Sequence, residues 1–180
     1  MKLILLRHEE RGIDIGFYSN LTENGINNAC TSLPNKLKSL NIDFIFSSPF
    51  IRTIETIYPF AYSNNMHINI EYALYEYIHN PYFLLSEWYH TIDDIKDFKD
   101  MINFNYKSII EKNNFFILEN EESLGKRIIP FINYLKNKFN DKTILLVSHK
   151  GIINKIIDLY VKKNSLENDI PMGSLHIYNI

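Results

Sequence analysis

Short apolar runs along the chain alternate with segments in which apolar residues recur every three or four positions. The mainly apolar runs at residues 2–6, 43–46 and 143–147 are typical of strands buried on both faces of a parallel sheet. Weaker patterns at residues 67–72 and 175–180 predict two further strands. Because the strands alternate with helical segments, the chain is predicted to form an α/β fold around a mainly parallel sheet.

Helical spacing is clear between residues 26 and 40, where apolar side chains recur after Thr22, a residue type that caps helices. Pro34 is expected to kink this helix or to end it early. The sequence Ser47-Ser48-Pro49 has the chemistry to cap the next helix. Two more helices are predicted at residues 122–139 and 151–161.

Residues 77–120 differ from the rest of the chain because their pattern is irregular and rich in aromatic side chains. We expect helices here, laid over one edge of the sheet as a lid. The length of 180 residues is that of one domain. The prediction is therefore a single domain over residues 1–180, a three-layer α/β/α sandwich with a mainly parallel central sheet and a helical lid insertion at about 77–120.

The composition restricts the possible partners and compartment. With 46% hydrophobic and 22% charged residues, the chain has the profile of a soluble globular domain. The net charge of −2 argues against a nucleic-acid partner. Cys30 is the single cysteine, which excludes an intramolecular disulfide and Cys-rich zinc sites, and the apolar opening is too short for a signal peptide or a membrane span. We expect a cytoplasmic protein without a membrane partner, and the oligomeric state stays open.

Polar residues follow three of the predicted strands. Arg7-His8, Ser47-Ser48 and Ser148-His149 each stand where a strand is predicted to end. In open α/β sheets, ligands bind beyond the carboxyl ends of the strands. These three strand ends are therefore expected to converge on one site.

The residue types at these strand ends suit phosphoryl transfer. Arg7, Arg52 and His149 could surround a phosphate, since the planar guanidinium group offers several donors to phosphate oxygens. His8 then remains as the nucleophile, because a neutral imidazole is competent near neutral pH, whereas no cysteine lies near and the serines lack an obvious base. Histidine-based phosphoryl transfer is the economical interpretation.

Four segments form a series of motifs along the chain. They are Leu6-Arg7-His8-Glu9-Glu10, Leu21-Thr22-Glu23-Asn24-Gly25, the ten residues 47–56, and Val147-Ser148-His149-Lys150-Gly151. In this order they resemble the Arg-His-Gly-Glu, Leu-Thr-x-x-Gly, Ser-Ser-Pro-x-x-Arg-Thr-x-Glu-Thr and Val-Ser-His-Gly-Gly motifs of the histidine phosphatase superfamily, which is related to phosphoglycerate mutases. The resemblance spans nearly the whole chain.

This resemblance implies a metal-independent phosphatase that needs no cofactor and hydrolyses a phosphomonoester through a phosphohistidine on His8. Arg7, Arg52 and His149 would form the phosphate pocket, and Glu76, in Leu74-Tyr75-Glu76, resembles the family's proton donor. Glu71 lies nearby and is the competing carboxylate. The substrate would be a small-molecule phosphate ester or a phosphorylated protein, whose identity the sequence does not define.

The chain departs from the family motifs at three positions. Glu9 and Lys150 each replace a glycine, and Asp14 stands where many relatives have a phosphate-contacting Asn. Replacing a glycine of positive φ would cost about 1 kcal/mol. Glu9 and Asp14 are expected to weaken phosphate binding by repulsion, while Arg11 and Lys150 are expected to offset this as additional substrate-binding residues.

Two alternatives accompany the phosphatase interpretation. The first is a phosphoglycerate-type mutase, which returns the phosphoryl group to its substrate; the short chain disfavours it, because mutase relatives usually carry more lid and dimer-forming sequence. The second is a catalytically weak module of the same fold that binds a phosphorylated ligand or a protein, which the departures from the motifs suggest. It ranks lower because the catalytic residues are retained.

Overall fold

A five-stranded sheet runs through the centre of the molecule. The computed structural model describes residues 1–13, 16–80, 95, 97–111, 118–161 and 169–180. Its strands are β1 Lys2–Arg7, β2 Phe44–Ser47, β3 Ile68–Ile70, β4 Thr143–Ser148 and β5 Leu175–Asn179. Their order across the sheet is β3-β2-β4-β1-β5, and all neighbours are parallel except β5, which is antiparallel to β1. The predicted mainly parallel sheet is confirmed.

Helices cover both faces of this sheet, so the three-layer prediction is also confirmed. They are α1 Glu23–Cys30, α2 Ser32–Leu37, α3 Ile51–Ser63, α4 Glu121–Lys138 and α5 Lys150–Tyr160. Successive strand side chains point to opposite faces. Ile4 and Leu6 therefore pack with α2 and α3, whereas Leu3 and Leu5 pack with α4 and α5. None of the helices in the described ranges is long and apolar enough to cross a membrane.

The predicted helix between residues 26 and 40 is interrupted. α1 ends at Cys30, and α2 begins at Ser32. Pro34 explains the break, because it has no N–H to donate to the carbonyl of Cys30 and its ring would clash with that carbonyl in a continuous helix. Thr22 caps α1 as predicted, and its hydroxyl accepts a hydrogen bond of 3.1 Å from the backbone N–H of Gly25.

The third strand is shorter than predicted. Residues 67–72 were expected to be extended, but β3 covers only Ile68–Ile70. Glu71 instead caps a short 3₁₀ helix, Tyr72–Leu74, and its carboxylate accepts a hydrogen bond of 2.9 Å from the backbone N–H of Ala73. This local side-chain cap competes with strand pairing and turns the chain toward the end of the sheet.

The predicted lid at about 77–120 lies largely outside the described residues and stays a prediction. Its described parts cover the edge of the sheet beside β3. Ile95, Met101 and Ile102 are buried in the core. The backbone N–H of Ile68 donates to the carbonyl of Met101 at 2.7 Å, so this segment satisfies part of the edge strand's hydrogen bonding.

Gly25 provides a test of the packing between the first loop and α1. A Cβ at Gly25 would lie 2.2 Å from the carbonyl oxygen of Glu10, and such overpacking costs about 1–3 kcal/mol. The higher helix propensity of alanine relative to glycine stabilises the helix by only about 1 kcal/mol. We therefore expect Gly25→Ala to lower the free energy of unfolding, measured by urea denaturation, by up to about 2 kcal/mol. Gly12→Ala is the matched control, because nothing lies within 4 Å of its added Cβ; equal losses in the two variants would contradict this packing.

Candidate active site

The carboxyl ends of β1, β2 and β4 meet at one place, as the sequence predicts. Arg7 is paired with Ser148 across β1 and β4, so the residues that follow, His8 and His149, are neighbours. Their ring centroids are 5.4 Å apart. Ser48, which follows β2, has its Oγ 2.9 Å from Nε2 of His149. The parallel pairing of three strands thus creates a buried cluster of polar side chains.

Arg52 enters this cluster from the first turn of α3, although the helix is not capped as predicted. Its N-cap is Phe50, which makes no side-chain cap hydrogen bond. The segment Ser47-Ser48-Pro49 was expected to cap the helix, but the hydroxyl of Ser48 is engaged with His149. Thr53 instead donates from Oγ1 to the carbonyls of Ser48 and Phe50 at 2.8 and 2.7 Å. These bonds fix the turn that directs Arg52 inward.

The guanidinium group of Arg52 is almost fully buried, with 1% of the side chain exposed. It donates to the carbonyl of Gly16 at 2.9 Å and to Oε2 of Glu76 at 3.2 Å, and its Cζ lies 4.3 Å from the ring centroid of Phe50. Burial lowers the pKa of Arg52 to about 10, and the charge of Glu76 opposes that shift. Arg52 is therefore still protonated at neutral pH.

Arg7 supplies a second guanidinium group at the end of β1. Its Nη1 donates to the carbonyl of Ile170 at 2.7 Å, and burial lowers its pKa, opposed by Glu76. Among the described residues, the buried Nε atoms of both Arg7 and Arg52 have no hydrogen-bond partner. Buried N–H groups nearly always have an acceptor, and phosphate oxygens suit guanidinium donors. The two side chains thus form an electropositive site suited to an anion.

His8 is held with one ring nitrogen occupied. It is 1% exposed, and its Nδ1 lies 2.8 Å from the carbonyl oxygen of Glu9. A carbonyl only accepts hydrogen bonds, so Nδ1 carries the proton and Nε2 keeps its lone pair. Burial, and to a smaller extent the neighbouring His149 ring and the charge of Arg52, lower the pKa of His8 well below its usual value. The imidazole is therefore neutral at physiological pH.

Glu76 lies against both His149 and Arg52. Its Oε2 is 3.1 Å from Nδ1 of His149 and 3.2 Å from Nη2 of Arg52, and 27% of the side chain is exposed. Burial by itself raises the pKa of Glu76, but the hydrogen bond from His149 and the charge of Arg52 outweigh it and lower the pKa below its usual range. The carboxylate is thus ionised at neutral pH in this structure.

The competing carboxylate, Glu71, is occupied elsewhere. Its two oxygens accept hydrogen bonds from Ser108 Oγ at 2.7 Å, from the backbone N–H of Ile109 at 3.0 Å and from the Tyr106 hydroxyl. The side chain is fully buried. Glu71 therefore anchors the segment around Tyr106 to the sheet edge, and of the two carboxylates only Glu76 faces the histidines.

A buried ion pair, which the sequence reasoning missed, holds the turn that carries Glu76. Arg127 of α4 donates from Nη1 to the carbonyls of Ala73 and Tyr75 at 3.0 and 2.9 Å. Its guanidinium group also pairs with the carboxylate of Glu119. The signal was available, because Arg127 is a charged residue within the apolar stripe of a predicted helix.

Three further residues were predicted to affect phosphate binding: Arg11, Lys150 and Asp14. Arg11 donates from Nη1 to the carbonyl of Gly12 at 2.8 Å, and its positive charge contributes to lowering the pKa of both Arg7 and Arg52. It therefore lies near the guanidinium cluster. Lys150 is exposed at the first position of α5. Asp14 lies outside the described residues.

The two glycine replacements cause no backbone strain. Among the described non-glycine residues only Asn41 and Asn65 have positive φ, so neither Glu9 nor Lys150 does, and the cost that a positive φ would impose does not arise. The buried carboxylate of Glu9 faces Gly173, where an added Cβ would lie 2.5 Å from Oε2. Burial raises the pKa of Glu9, partly opposed by a hydrogen bond from Asn28. The predicted repulsion of phosphate by Glu9 stays a prediction.

A separate cavity of about 540 Å³ lies at the amino ends of β2 and β3. Asp43, Phe46, His67 and Lys138 are among its lining residues. Neither His8 nor a guanidinium group reaches it, so the candidate chemistry belongs to the carboxyl ends of the strands. Within the described residues, no group of three or more His, Cys, Asp or Glu side chains is arranged to hold a metal ion.

Comparison with known proteins gives both a family and a fold. The model of the histidine phosphatase superfamily (branch 1) matches residues 6–178, nearly the whole chain. No curated protein matches the chain in sequence. Many solved structures match it in fold.

Three of these structures illustrate the similarity. The ecdysone phosphate phosphatase from Bombix mori, in complex with tungstate, has a TM-score of 0.75 and 15% identity, covering 98% of this chain and 88% of that chain. The alpha-ribazole phosphatase from Shigella flexneri has a TM-score of 0.69 and 21% identity, covering 98% and 89%. The phosphoserine phosphatase from Entamoeba histolytica, in complex with 3-phosphoglyceric acid, has a TM-score of 0.67 and 23% identity, covering 98% and 89%. At these identities the similarity shows a shared fold.

The burial of a neutral His149 predicts how stability depends on pH. Burial, opposed by Glu76, lowers the pKa of His149 to about 4, whereas a histidine in the unfolded chain titrates near about 6.5. Between these values only the unfolded chain binds the proton, so this contribution to stability is complete above pH of about 6.5 and is lost as the pH falls toward about 4. We expect urea denaturation at several pH values to show this decrease, and His149→Gln to make it shallower. His67→Gln, at an exposed histidine, should leave the pH dependence unchanged; an equal slope in the wild type and His149→Gln would contradict the prediction.

Proposed function

Because the chain belongs to the histidine phosphatase superfamily, we propose that it hydrolyses a phosphomonoester through a phosphohistidine on His8, without a metal. The observation that carries this proposal is the neutral imidazole of His8 beside two guanidinium groups whose buried Nε–H donors have no partner among the described residues. The anion site and the nucleophile are adjacent, as phosphoryl transfer requires.

The phosphoryl group would bind between Arg7, Arg52 and His149. The two guanidinium groups would donate to its equatorial oxygens, where negative charge is spread in the transition state. Both are fixed before the substrate arrives, Arg7 by the carbonyl of Ile170 and Arg52 by the carbonyl of Gly16. Such preorganised donors need little rearrangement during the reaction, which is why they favour catalysis.

His8 would attack phosphorus through Nε2. The hydrogen bond from Nδ1 to the Glu9 carbonyl leaves the Nε2 lone pair free and holds the ring in place. As the Nε2–P bond forms, the bond from phosphorus to the leaving oxygen breaks. In the second step a water oxygen attacks phosphorus, the Nε2–P bond breaks, and inorganic phosphate is released.

Glu76 would act as the general acid and then as the base. Arg52 and His149 keep its carboxylate ionised in the absence of substrate. A phosphate dianion bound at Arg52 would compete for that guanidinium and add negative charge near the carboxylate, and both effects raise a carboxyl pKa. The protonated Glu76 would donate to the leaving oxygen and later take a proton from the attacking water.

The substrate is proposed to be a small-molecule phosphate ester. The structural neighbours named above are phosphatases of different compounds, an ecdysone phosphate, an alpha-ribazole phosphate and phosphoserine, so the shared fold does not define the leaving group. Measuring phosphate release across sugar phosphates, nucleotides, phosphoserine, phosphotyrosine and small metabolites would identify the preferred class.

Trapping the covalent intermediate tests the nucleophile. Enzyme quenched with denaturant during turnover should carry an acid-labile, base-stable phosphate on His8, because a phosphoramidate is formed. His8→Ala should lose the label and more than about 10³-fold in turnover, while His67→Ala, at an exposed histidine, should keep both. A label that persists in His8→Ala would show that another residue is the nucleophile. Release of the trapped phosphate to water, and not to an acceptor alcohol, distinguishes a phosphatase from a mutase.

Leaving-group chemistry tests the role of Glu76. Protonation helps most when the leaving alkoxide is basic, so Glu76→Gln should slow alkyl phosphates far more than p-nitrophenyl phosphate, with a difference within the range of about 10²- to 10⁴-fold that general acids contribute. Single-turnover phosphorylation of His8 is the measurement, because steady-state rates also include the water step. Equal slowing of both substrates would exclude Glu76 as the acid.

A further inference from the structure

We infer that Ser48 is a positioning residue that stabilises the Nδ1–H tautomer of His149 by donating to Nε2, and so helps to hold its N–H toward the phosphate site. The inference rests on the proposed function in one respect, that a phosphate binds beside His149. Ser48 belongs to the segment that was expected to cap α3, but its side chain contacts His149 instead.

The contact between these two residues is shielded from water. Oγ of Ser48 lies 2.9 Å from Nε2 of His149, and both side chains are fully buried. The backbone of Ser48 is itself fixed, because its carbonyl accepts hydrogen bonds from Ser47 Oγ at 2.9 Å and Thr53 Oγ1 at 2.8 Å. The hydroxyl is therefore held against the ring with little freedom to turn to another partner.

The proton on His149 can be assigned from its other nitrogen. Nδ1 lies 3.1 Å from Oε2 of Glu76, and an ionised carboxylate only accepts hydrogen bonds. A lone pair on Nδ1 would face that oxygen and be repelled by it. Arg52 offers a competing donor to Nδ1, but at a longer distance of 3.4 Å, and the same Nη2 already donates to Glu76 at 3.2 Å. The geometry thus favours a proton on Nδ1.

The hydroxyl of Ser48 completes this arrangement at Nε2. A neutral imidazole with its proton on Nδ1 has a lone pair on Nε2. The Ser48 oxygen already accepts a long hydrogen bond of 3.4 Å from the backbone N–H of Phe50, and its single proton is available to donate to Nε2. Ser48 donates, His149 accepts, and Nδ1–H points toward Glu76 and the guanidinium groups.

The consequence concerns phosphate binding. With the proton on Nδ1, His149 donates toward the site in which the phosphoryl oxygens would lie. In the other tautomer a lone pair would face those negatively charged oxygens. Removing the hydroxyl of Ser48 removes the donor that favours the productive tautomer, so phosphate affinity and phosphorylation of His8 should both weaken.

Ser48→Ala is the test, with Ser47→Ala as the matched control. Both variants remove one fully buried hydroxyl at the end of β2. The Ser47 hydroxyl donates to the Ser48 carbonyl, which Thr53 Oγ1 still holds at 2.8 Å when that donor is removed, and in the described part of the chain no hydrogen bond joins Ser47 to His149. We expect Ser48→Ala to lower kcat/KM, and the affinity for inorganic phosphate, by about 3- to 10-fold, the range that one hydrogen bond contributes. Ser47→Ala should change both by less than about 2-fold. In a His149→Ala background, Ser48→Ala should have no further effect.

Nitrogen-15 NMR of the histidine rings supplies a readout that a merely structural role would not move. His149 should have its proton on Nδ1 in the wild type and in Ser47→Ala, and a larger Nε2–H fraction in Ser48→Ala. A proton on Nε2 in the wild type, or equal effects of the two serine variants, would overturn the inference. The NMR and phosphate-binding measurements need no turnover, so absence of phosphatase activity would contradict the proposed function and leave this test decisive.

Discussion

The positive charge of Arg52 is buried almost completely, and the rest of the site is arranged around that constraint. Removing one partner of a buried ion pair costs about 3–5 kcal/mol, because it leaves an uncompensated charge. Here the charge is met by the Gly16 carbonyl, the Glu76 carboxylate and the face of the Phe50 ring. The same charge contributes to keeping His8 neutral and Glu76 ionised. One buried guanidinium therefore helps to set the protonation of both the proposed nucleophile and the proposed acid.

Two carboxylates five positions apart show how the surroundings determine chemistry. Glu71 is fully buried, and its oxygens are saturated by donors from the backbone and from side chains near Tyr106. Glu76 is partly exposed; its Oε1 accepts from the backbone N–H of Tyr77, and its Oε2 faces Arg52 and His149, two groups that a phosphate would also attract. Glu71 cannot exchange its hydrogen-bond partners without loosening the fold, whereas Oε2 of Glu76 can change partners. The turn between Glu71 and Glu76 is held by Arg127, which donates to two of its carbonyls and is paired with Glu119. This turn keeps the two carboxylates in their different surroundings.

Features that depend on local pattern were predictable, and features that depend on distant contacts were not. Apolar runs predicted three of the strands and weaker patterns the other two, and the ends of the predicted strands pointed to His8 and His149. Pro34 predicted the break after α1, because a proline disrupts helical hydrogen bonding to the residue four positions before it. In contrast, the segment Ser47-Ser48-Pro49 was expected to cap α3, and only a contact with a histidine about one hundred residues away explains the position of the Ser48 side chain. For Arg127 the sequence signals an unusual charged residue in the apolar stripe of a helix, but its acceptors are carbonyls more than fifty residues away, so its contacts could not be predicted.

The replacement of the motif glycine by Glu9 shows which part of a motif carries its chemistry. His8 is oriented by the backbone carbonyl of residue 9, and that backbone does not have positive φ. The side chain at this position is therefore free to vary if the surroundings can accept it. They do so through Gly173, whose own φ of +73° and missing Cβ leave the space that the Glu9 carboxylate fills. Gly173 also donates its N–H to the His8 carbonyl at 3.0 Å. Glu9 thus stands where the family motif has a glycine, and Gly173 leaves the space that the larger side chain needs. The backbone that orients His8 is therefore preserved.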